Sequence, residues 1–402
     1  MHAPLPGFPV VDDCLQIGGI PVTQLAARVG MTPFYVYDRT LISARVAELR
    51  THLPAEIHLH YAIKANPMPD VVQHLAVLVD GLDVASAGEL DIALALRTDP
   101  IRISFAGPGK RDRELEQAIE AGITVNIESE GELERIAKIG GTRARVAVRI
   151  NPDFELKSSG MKMGGGPKPF GVDAERVPDM LARIGKLRLD FKGFHIFAGA
   201  QNLRADAIHE AQRKSIELAI RLAEYAPSPV RLLNIGGGFG IPYFPGEQRL
   251  DTAAVGAGLE RLLPEVHSRL PEAQVVLELG RYLVGEAGIY VCRVIDRKVS
   301  RGHVFLVTDG GLHHHLAASG NFGQVIRKNY PVVIGNRVVG REREMVSVVG
   351  PLCTPLDLLA DNMEMAKAEV GDLVVVFQSG AYGLTASPVG FLSHPAPAEV
   401  LV

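Results

Sequence analysis

The sequence has few cysteines, little net charge and no long run of apolar residues. Its three cysteines (Cys14, Cys292 and Cys353) are far apart, which is typical of a reducing cytoplasm and argues against a disulfide framework or a zinc site. The 42 basic and 46 acidic residues leave a net charge of −4, so no polycation is available to hold nucleic acid or an anionic membrane. The longest uncharged stretch, 373–398, is broken by glycines and prolines and predicts a buried strand with loops instead of a membrane span. The first residues show no secretory pattern, and we expect a cytoplasmic protein.

What the sequence does contain is one pattern repeated eight times. A short β-rich run ends in small or polar residues and is followed by a stretch in which apolar residues recur every three or four positions, as in a helix. The runs are IHLHYAIKAN (57–66), GLDVAS (81–86), IRISFAG (101–107), ITVNIES (123–129), RVAVRIN (145–151), FKGFHIF (191–197), RLLNIGGG (231–238) and VVLELGR (275–281). Ser86 with Glu89, and Ser129 with Glu132, predict capping boxes that open helices. Eight such units predict an α/β fold, a (β/α)₈ TIM-like barrel with its functional groups where strands end.

After Arg281 the pattern changes to β-rich runs punctuated by glycine and proline, which indicates a β-barrel or sandwich. We therefore expect a barrel over 38–282 and a β-rich domain formed by 1–37 and 283–402. The segment FYVYD (34–38) is a candidate for a further barrel strand. A doubly wound sheet is the alternative fold, but it leaves the eightfold count unexplained.

Four features at predicted strand ends could carry chemistry. Lys64 ends the first run, where it is either a lysine that reaches solvent or an amine suited to a Schiff base. Three glycines, 236–238, end the seventh run, where barrels of this kind usually bind phosphate. Glu278 and Arg281 follow the eighth run, either as a salt-bridged pair or as functional groups. His195 ends the sixth run, where its ring is either a core histidine or a surface for a flat cofactor.

Together these features resemble the fold-type III pyridoxal-phosphate decarboxylases, the group that contains diaminopimelate, ornithine and biosynthetic arginine decarboxylases. The resemblance spans nearly the whole chain and rests on motifs in the family's order. They are YAIKAN, DVASAGEL (83–90), KPFG (168–171), HIFAGAQN (195–202), GGGFG, ELGRYLVGEAG (278–288), GPLCTPLD (350–357) and GAYG (380–383). The resemblance implies an alanine-racemase-like arrangement, in which a β-rich domain completes the active site of a barrel that binds pyridoxal 5′-phosphate.

The resemblance also implies roles for individual residues. Lys64 would hold the cofactor as an internal aldimine, His195 would stack on the pyridine ring, and Glu278 would pair with the pyridine nitrogen. After a quinonoid stage, Cys353 from the second subunit of a head-to-tail homodimer would return the proton to Cα. The implied cofactor contacts are Lys64, Asp83, Ser86, Arg149, His195, Gly236, Gly237, Gly238, Glu278, Gly280, Arg281 and Tyr382. The implied substrate contacts are Arg281, Arg327, Tyr330, Cys353, Thr354, Asp357 and Tyr382.

The chemistry favours decarboxylation over racemisation. Loss of CO₂ leaves a carbanion that needs an electron sink, and a carboxylate beside the pyridine nitrogen favours the protonated ring that provides it. An arginine in that place, as in the related alanine racemases, would disfavour it. A racemase and a non-catalytic cofactor-binding homologue remain the competing functions, although Cys353, Asp357 and Tyr382 argue against the latter.

Two departures from the family pattern bear on the substrate. Ornithine and diaminopimelate decarboxylases carry an acidic residue directly after the cysteine for the distal ammonium, and here that position is Thr354. Threonine cannot balance a buried positive charge, so the distal end is predicted not to be a simple ammonium unless Asp357 or Asp309 receives it. Ala200 stands where a serine would bind phosphate. These variants resemble the secondary-metabolism and exopolysaccharide (exosortase-associated) subgroup, which includes decarboxylases of a glutamyl group on an acyl carrier protein.

Other polar segments have simpler interpretations. The loop with Lys157, Lys162 and Lys168 is either a contact for an acidic carrier or a substrate carboxylate, or a solvated loop. The histidines at 58–60 and 313–315 lack acidic or cysteine partners at ligand spacing and are interpreted as structural, so no metal is expected. The stretch KRDRE (110–114) is interpreted as the charged start of a helix.

Overall fold

The computed structural model describes residues 7–155, 161–162, 164–324 and 326–402, with no side-chain description of 161 and 162. The chain divides into two compact units. One contains the described parts of 45–241 and 249–282, and the other contains the described parts of 1–44, 242–248 and 283–402. Segment 242–248 thus groups with the β-rich unit, although it lies within the predicted barrel range.

Within the described residues, the first unit holds eight parallel strands that close on themselves, which confirms the predicted barrel. In chain order they are His58–Ala62, Gly81–Val84, Ile103–Phe105, Thr124–Ile127, Arg145–Asn151, Asp190–Ile196, Leu232–Gly237 and Gln274–Leu279. The eighth pairs with the first and the fourth with the fifth, so the ring has no open edge. Their residues are buried almost without interruption, as expected for parallel strands covered on both faces.

A helix follows each barrel strand. They are Pro69–Ala76, Ala87–Ala95, Asp112–Ala121, Glu130–Gly140, Val177–Leu187, Ala205–Ala223, Thr252–Arg269 and the short Arg281–Val284. Ser86 and Ser129 cap two of them, accepting from the backbone N–H groups of Glu89 at 3.2 Å and Glu132 at 3.1 Å. The reciprocal half of each capping box is shifted by one residue, because each glutamate accepts from the residue before the serine.

The second unit is built on strands that are mostly antiparallel. They are Val10–Val11, Cys14–Ile17, Ile20–Pro21, Phe34–Tyr37, Gly288–Ser300, His303–Thr308, Val332–Ile334, Arg343–Val349, Leu358–Ala366, Leu373–Val376 and Ala398–Leu401. Helix Val22–Val29 packs on them around a core that includes Phe34, Ile289 and Val375. The predicted assignment of FYVYD to the barrel is wrong, because Phe34–Tyr37 pairs with Gly288–Ser300 and Ala398–Leu401. The helix Arg39–His52 follows that strand.

Candidate active site

Three predicted residues meet where the first, sixth and eighth barrel strands end. Lys64 lies in a single 3-10 turn after the first strand, and its Nζ is 3.3 Å from Oε1 of Glu278. His195 is the penultimate residue of the sixth strand, and its Nε2 is 3.1 Å from Oε2 of Glu278. The lysine side chain is 45% exposed, whereas the glutamate side chain is 5% exposed. A buried carboxylate therefore lies between an accessible amine and an imidazole.

The surroundings of Glu278 keep it ionised. Burial by itself would raise the pKa of this carboxyl, but the positive charge of Lys64, the contact with His195 and the charge of Arg149 lower it. The net result is a pKa well below the ordinary value for glutamate. Asn234 also donates to Oε2 at 3.5 Å. The site thus presents a permanent negative charge at neutral pH.

The glycines at the end of the seventh strand leave no room for side chains. A Cβ on Gly238 would lie 2.2 Å from the carbonyl oxygen of Gly199, and one on Gly237 would lie 2.4 Å from that of Glu278. Gly236 and Gly238 both have φ of +70°, a conformation that favours glycine. Backbone N–H groups in such a bare turn can approach a phosphate closely. Ala200, which stands where a serine would bind phosphate, lies against this turn. Its Cα is 3.6 Å from the position that a Cβ on Gly238 would occupy.

A second group of buried polar residues lies on, or directly after, the first to fifth strands. Oδ1 of Asp83 accepts from Ser104 at 2.5 Å and lies 3.3 Å from Nδ1 of His60. Arg149 donates to Glu128 at 2.9 Å and lies over the ring of Phe170, with 5.2 Å between Cζ and the ring centroid. Predicted residues Asp83 and Arg149 are therefore inside the barrel, whereas Ser86 is occupied as a helix cap.

Glu128 was not predicted, although it organises this part of the mouth. Its carboxylate accepts from Arg149 and from the backbone N–H groups of Gly107 and Gly171. Burial would raise its pKa, but Arg149 and Lys110 lower it below the ordinary value. The sequence feature that could have identified Glu128 is its position directly after the fourth strand. The prediction that KRDRE is the charged start of a helix is confirmed, because helix Asp112–Ala121 begins directly after Arg111. Lys110 lies just before this helix, where it is buried and donates to Glu132 at 2.9 Å.

The predicted residues at 353–357 belong to the β-rich unit. Cys353 is exposed, and Thr354 is half-buried with its Oγ1 accepting from the N–H of Leu356. Asp357 is buried, and its two oxygens accept from the N–H groups of Leu312 at 2.6 Å and Leu352 at 2.8 Å. Asp357 therefore ties the backbone before Cys353 to a second loop.

The remaining predicted substrate contacts also have partners within the β-rich unit. Arg327 donates to the carbonyl oxygens of Ser319 at 3.1 Å and Leu358 at 3.0 Å, and to the side chain of Asn329. Tyr330 is buried in an aromatic cluster, 4.8 Å between ring centroids from Tyr243. Their predicted contacts with substrate stay predictions.

Two further cofactor candidates occupy distinctive backbone positions. Tyr382 is half-buried and has φ of +53°, a strained conformation for an aromatic residue of the kind often found at functional sites. Arg281 begins the short helix after the eighth strand, directly after Gly280. A Cβ on Gly280 would lie 2.9 Å from the Cβ of Ala65. Two close-packed turns, one beside Lys64, therefore meet at this end of the barrel.

Among the described residues, no three histidine, cysteine or acidic side chains are grouped to hold a metal ion. His313, His314 and His315 are buried, and burial lowers the pKa of His315 to about 3. Lys157 and the side chain of Lys162 lie outside the described residues, and Lys168 is half-buried. In the part of the chain that the structure describes, no helix has the length and apolar character needed to cross a membrane.

Comparison with known proteins places this geometry in a family. Residues 39–285 match the family described as "Pyridoxal-dependent decarboxylase, pyridoxal binding domain". The L-glutamyl-[BtrI acyl-carrier protein] decarboxylase of Niallia circulans is 40% identical over 389 residues, covering 94% of this chain and 90% of that protein. The diaminopimelate decarboxylase of Aquifex aeolicus is 33% identical over 397 residues, covering 97% and 91%. The solved structure of diaminopimelate decarboxylase from M. jannaschii with L-lysine matches with a TM-score of 0.88 and 27% identity, covering 99% and 93%.

The fold and the matches define an alanine-racemase-like enzyme that depends on pyridoxal phosphate. The chain belongs to the pyridoxal-dependent decarboxylase family. It is a carboxy-lyase that acts on an amino acid or a carrier-tethered aminoacyl group.

The barrel residues fit this cofactor. A protonated pyridine nitrogen needs a buried anion, which Glu278 supplies, and a phosphate needs bare backbone, which Gly236–Gly238 supply. The Nδ1 atom of His195 is buried without a hydrogen-bond partner among the described residues. Such a group is costly in an empty core and is expected where a ligand binds.

Proposed function

We propose that the enzyme decarboxylates an α-amino acid whose distal end is an acyl thioester on a carrier protein. The reacting end of such a substrate carries the α-amine and α-carboxylate, whereas its distal end is neutral. A binding segment for it needs hydrogen-bonding groups and no counter-ion. Thr354, which stands where the ornithine and diaminopimelate enzymes carry an acid, meets that requirement.

The observation that carries this proposal is that the two other candidate acids, Asp357 and Asp309, already have hydrogen-bond partners. Both oxygens of Asp357 accept backbone N–H bonds, from Leu312 and Leu352. Asp309 accepts from the backbone N–H of Arg293 at 2.8 Å through one oxygen and from the hydroxyl of Thr32 through the other. A substrate ammonium would have to displace these bonds, and an unpaired ammonium in a closed site costs several kcal/mol. These contacts therefore favour a distal group without charge.

The relative from Niallia circulans supports the same choice, since its name gives an L-glutamyl group on an acyl-carrier protein as its substrate. It is 40% identical to this chain, compared with 33% for the Aquifex aeolicus diaminopimelate decarboxylase. We extend the carrier-bound substrate class to this chain, without specifying the carrier.

In this proposal each residue of the site has its own role. Pyridoxal phosphate, when bound, supplies the electron sink for the pair left at Cα as CO₂ departs. Lys64 presents the amine that would anchor the cofactor, and His195 presents a flat buried ring. Glu278 is ionised, and its negative charge would stabilise a proton on the pyridine nitrogen of the cofactor. Cys353 donates a proton to Cα. Gly236, Gly237 and Gly238, with Gly280, Arg281 and Tyr382, hold the phosphate.

We further propose that the enzyme is a homodimer in which each subunit supplies Cys353 to the other's site. Its exposed thiol, on a segment fixed by Asp357, is consistent with a contact outside its own unit. The three cysteines, all within the described residues, are free thiols, which supports a cytoplasmic location.

The test is CO₂ release by the cofactor-loaded enzyme from a set of substrates. The set contains γ-glutamyl-pantetheine thioester, glutamate, meso-diaminopimelate, ornithine, lysine and arginine. We expect turnover of the thioester alone, and the Lys64→Ala variant controls for background release. A Thr354→Glu variant should lose activity on the thioester. Turnover of a free basic amino acid by the natural enzyme would refute the proposal, because it would require one of the occupied acids to receive the ammonium.

A further inference from the structure

A groove of about 660 Å³ crosses one face of the β-rich unit, and apart from Thr354 and Asp357 at one end its lining residues have no function assigned above. Its floor is formed by strands Gly288–Ser300, His303–Thr308 and Arg343–Val349. Cross-strand pairing places Lys298 opposite Phe305, and Phe305 beside Ser347. Since directly paired residues share a face of a sheet, these side chains line one continuous surface.

The floor of the groove alternates apolar and polar groups. Phe305 and Val307 provide the apolar surface, and both are half-buried. Between them and the next strand, Nε2 of His303 lies 3.0 Å from Oγ of Ser347, which donates to Asp361 at 3.0 Å. This polar row suits a chain that carries amide groups at intervals along an aliphatic backbone.

The two ends of the groove differ in charge. At one end Lys298 and Ser300 are exposed, next to a tight turn that holds exposed Arg301. The neighbouring Arg297 is already paired with Glu344 at 2.6 Å. At the other end the groove is lined by Thr354, Pro355 and Asp357, shortly after Cys353, and both oxygens of Asp357 already accept backbone N–H bonds. A linear ligand with an anionic end and a neutral reactive end matches this polarity.

We propose that the groove binds the phosphopantetheine arm that carries the substrate, with its phosphate at Lys298 and Arg301 and its thioester at Thr354. This inference rests on the proposed function and deepens it. The arm has a phosphate, two amides and a thioester in that order, which is the order of groups along the groove. The basic turn would also face an acidic carrier protein.

The test compares two substrates with the same reacting end. One is γ-glutamyl-pantetheine 4′-phosphate, and the other is the short γ-glutamyl-N-acetylcysteamine thioester, which lacks the phosphate and most of the arm. Val307→Phe should fill the floor and raise KM for the long substrate by about tenfold, with little change for the short one. Lys298→Ala should raise the same KM about three- to fivefold, a typical effect for one exposed charge.

Matched controls lie on the same unit. Val299 is on the same hairpin as Lys298, but its side chain points to the opposite face because successive residues of a strand alternate. Val299→Phe and Lys367→Ala should leave both KM values unchanged. Lys367 is outside the groove and pairs with Glu342.

Each outcome decides between the possibilities. An equal loss on both substrates in Val307→Phe would show that the groove affects the reaction centre and not the arm, and unchanged KM values would show that it is not used. Conversion of the variant to a different oligomer in sedimentation would identify the groove as a subunit interface. Each of these results overturns the inference while wild-type turnover of the short thioester still supports the proposed function. If the wild-type enzyme uses neither thioester, both ideas fall together.

Discussion

The glycine turn after the seventh strand allows a quantitative test of the phosphate cradle. Gly238 has φ of +70°, and its Cβ position is 2.2 Å from the carbonyl oxygen of Gly199. Gly122, which ends helix Asp112–Ala121, has φ of +76° and nothing within 4 Å of its Cβ position. Alanine at either position pays roughly 1–2 kcal/mol for the left-handed conformation. Only Gly238→Ala must also move backbone in the cradle.

We expect the free energy of unfolding to fall by about 1–2 kcal/mol in both variants, because alanine is strained in this backbone conformation, and to fall further in Gly238→Ala. Only Gly238→Ala should bind pyridoxal phosphate more weakly. A loss of about 1.4 kcal/mol of binding free energy corresponds to a tenfold higher Kd, and we expect at least that. Titration of apoenzyme with the cofactor, followed by absorbance, gives Kd, and urea unfolding gives stability. Wild-type cofactor affinity in Gly238→Ala, or equal weakening in Gly122→Ala, would contradict the assignment of the cradle.

Three further predictions concern the proton donor, its support and the buried histidines. Cys353→Ser should lower kcat about 10²–10⁴-fold, the usual range for a positioned acid, with cofactor Kd unchanged; a wild-type kcat would exclude it as the donor. In Asp357→Asn the amide NH₂ faces a backbone N–H, so the free energy of unfolding in urea should fall by about 1–3 kcal/mol and kcat should fall as well. A rise in KM alone would indicate that Asp357 contacts the substrate directly. His315 is buried, which disfavours its protonation, and its Nδ1 accepts from the N–H of Ala318. Its pKa falls from 6.5 to about 3, so the unfolded chain binds more protons and stability is lost as pH falls from 6.5 toward 3. Between pH 7.5 and 5.5 this one group should remove about 1.4 kcal/mol, and His315→Gln should show a smaller loss by that amount; an identical pH dependence would refute the reasoning.

The barrel was predictable because its signals are local. Each strand buried on both faces is a nearly continuous apolar run, and serine caps such as Ser86 mark where the next helix begins. Lys64, His195 and Glu278 were found because strand ends in a closed parallel barrel point to one rim. The structure brings these three side chains together, as the sequence pattern predicted.

The failures concern residues whose partners are distant in sequence. Phe34–Tyr37 is buried at every position, like a barrel strand, and only its pairing with Gly288–Ser300 and Ala398–Leu401 shows that it belongs elsewhere. Lys110 stands in a run of charges that predicts the charged start of a helix, and a helix does begin at Asp112. The sequence does not show, however, that the Nζ of Lys110 is held by Glu132 and by the carbonyl oxygens of Gly107 and Asn126. A local charge pattern cannot reveal partners supplied by other strands.

Asp357 shows how the same limit affects a statement about substrate. From the sequence, an acid three residues after Thr354 is a candidate to receive a distal ammonium and keeps basic amino acids open as substrates. The structure gives both of its oxygens to backbone N–H groups, one of them next to Cys353. An acid can be present in a binding segment and still be unavailable to a ligand, because a carboxylate that fixes a loop would release that loop if it turned to the substrate. Because Asp357 is occupied in this way, Thr354 favours a substrate whose distal group is neutral.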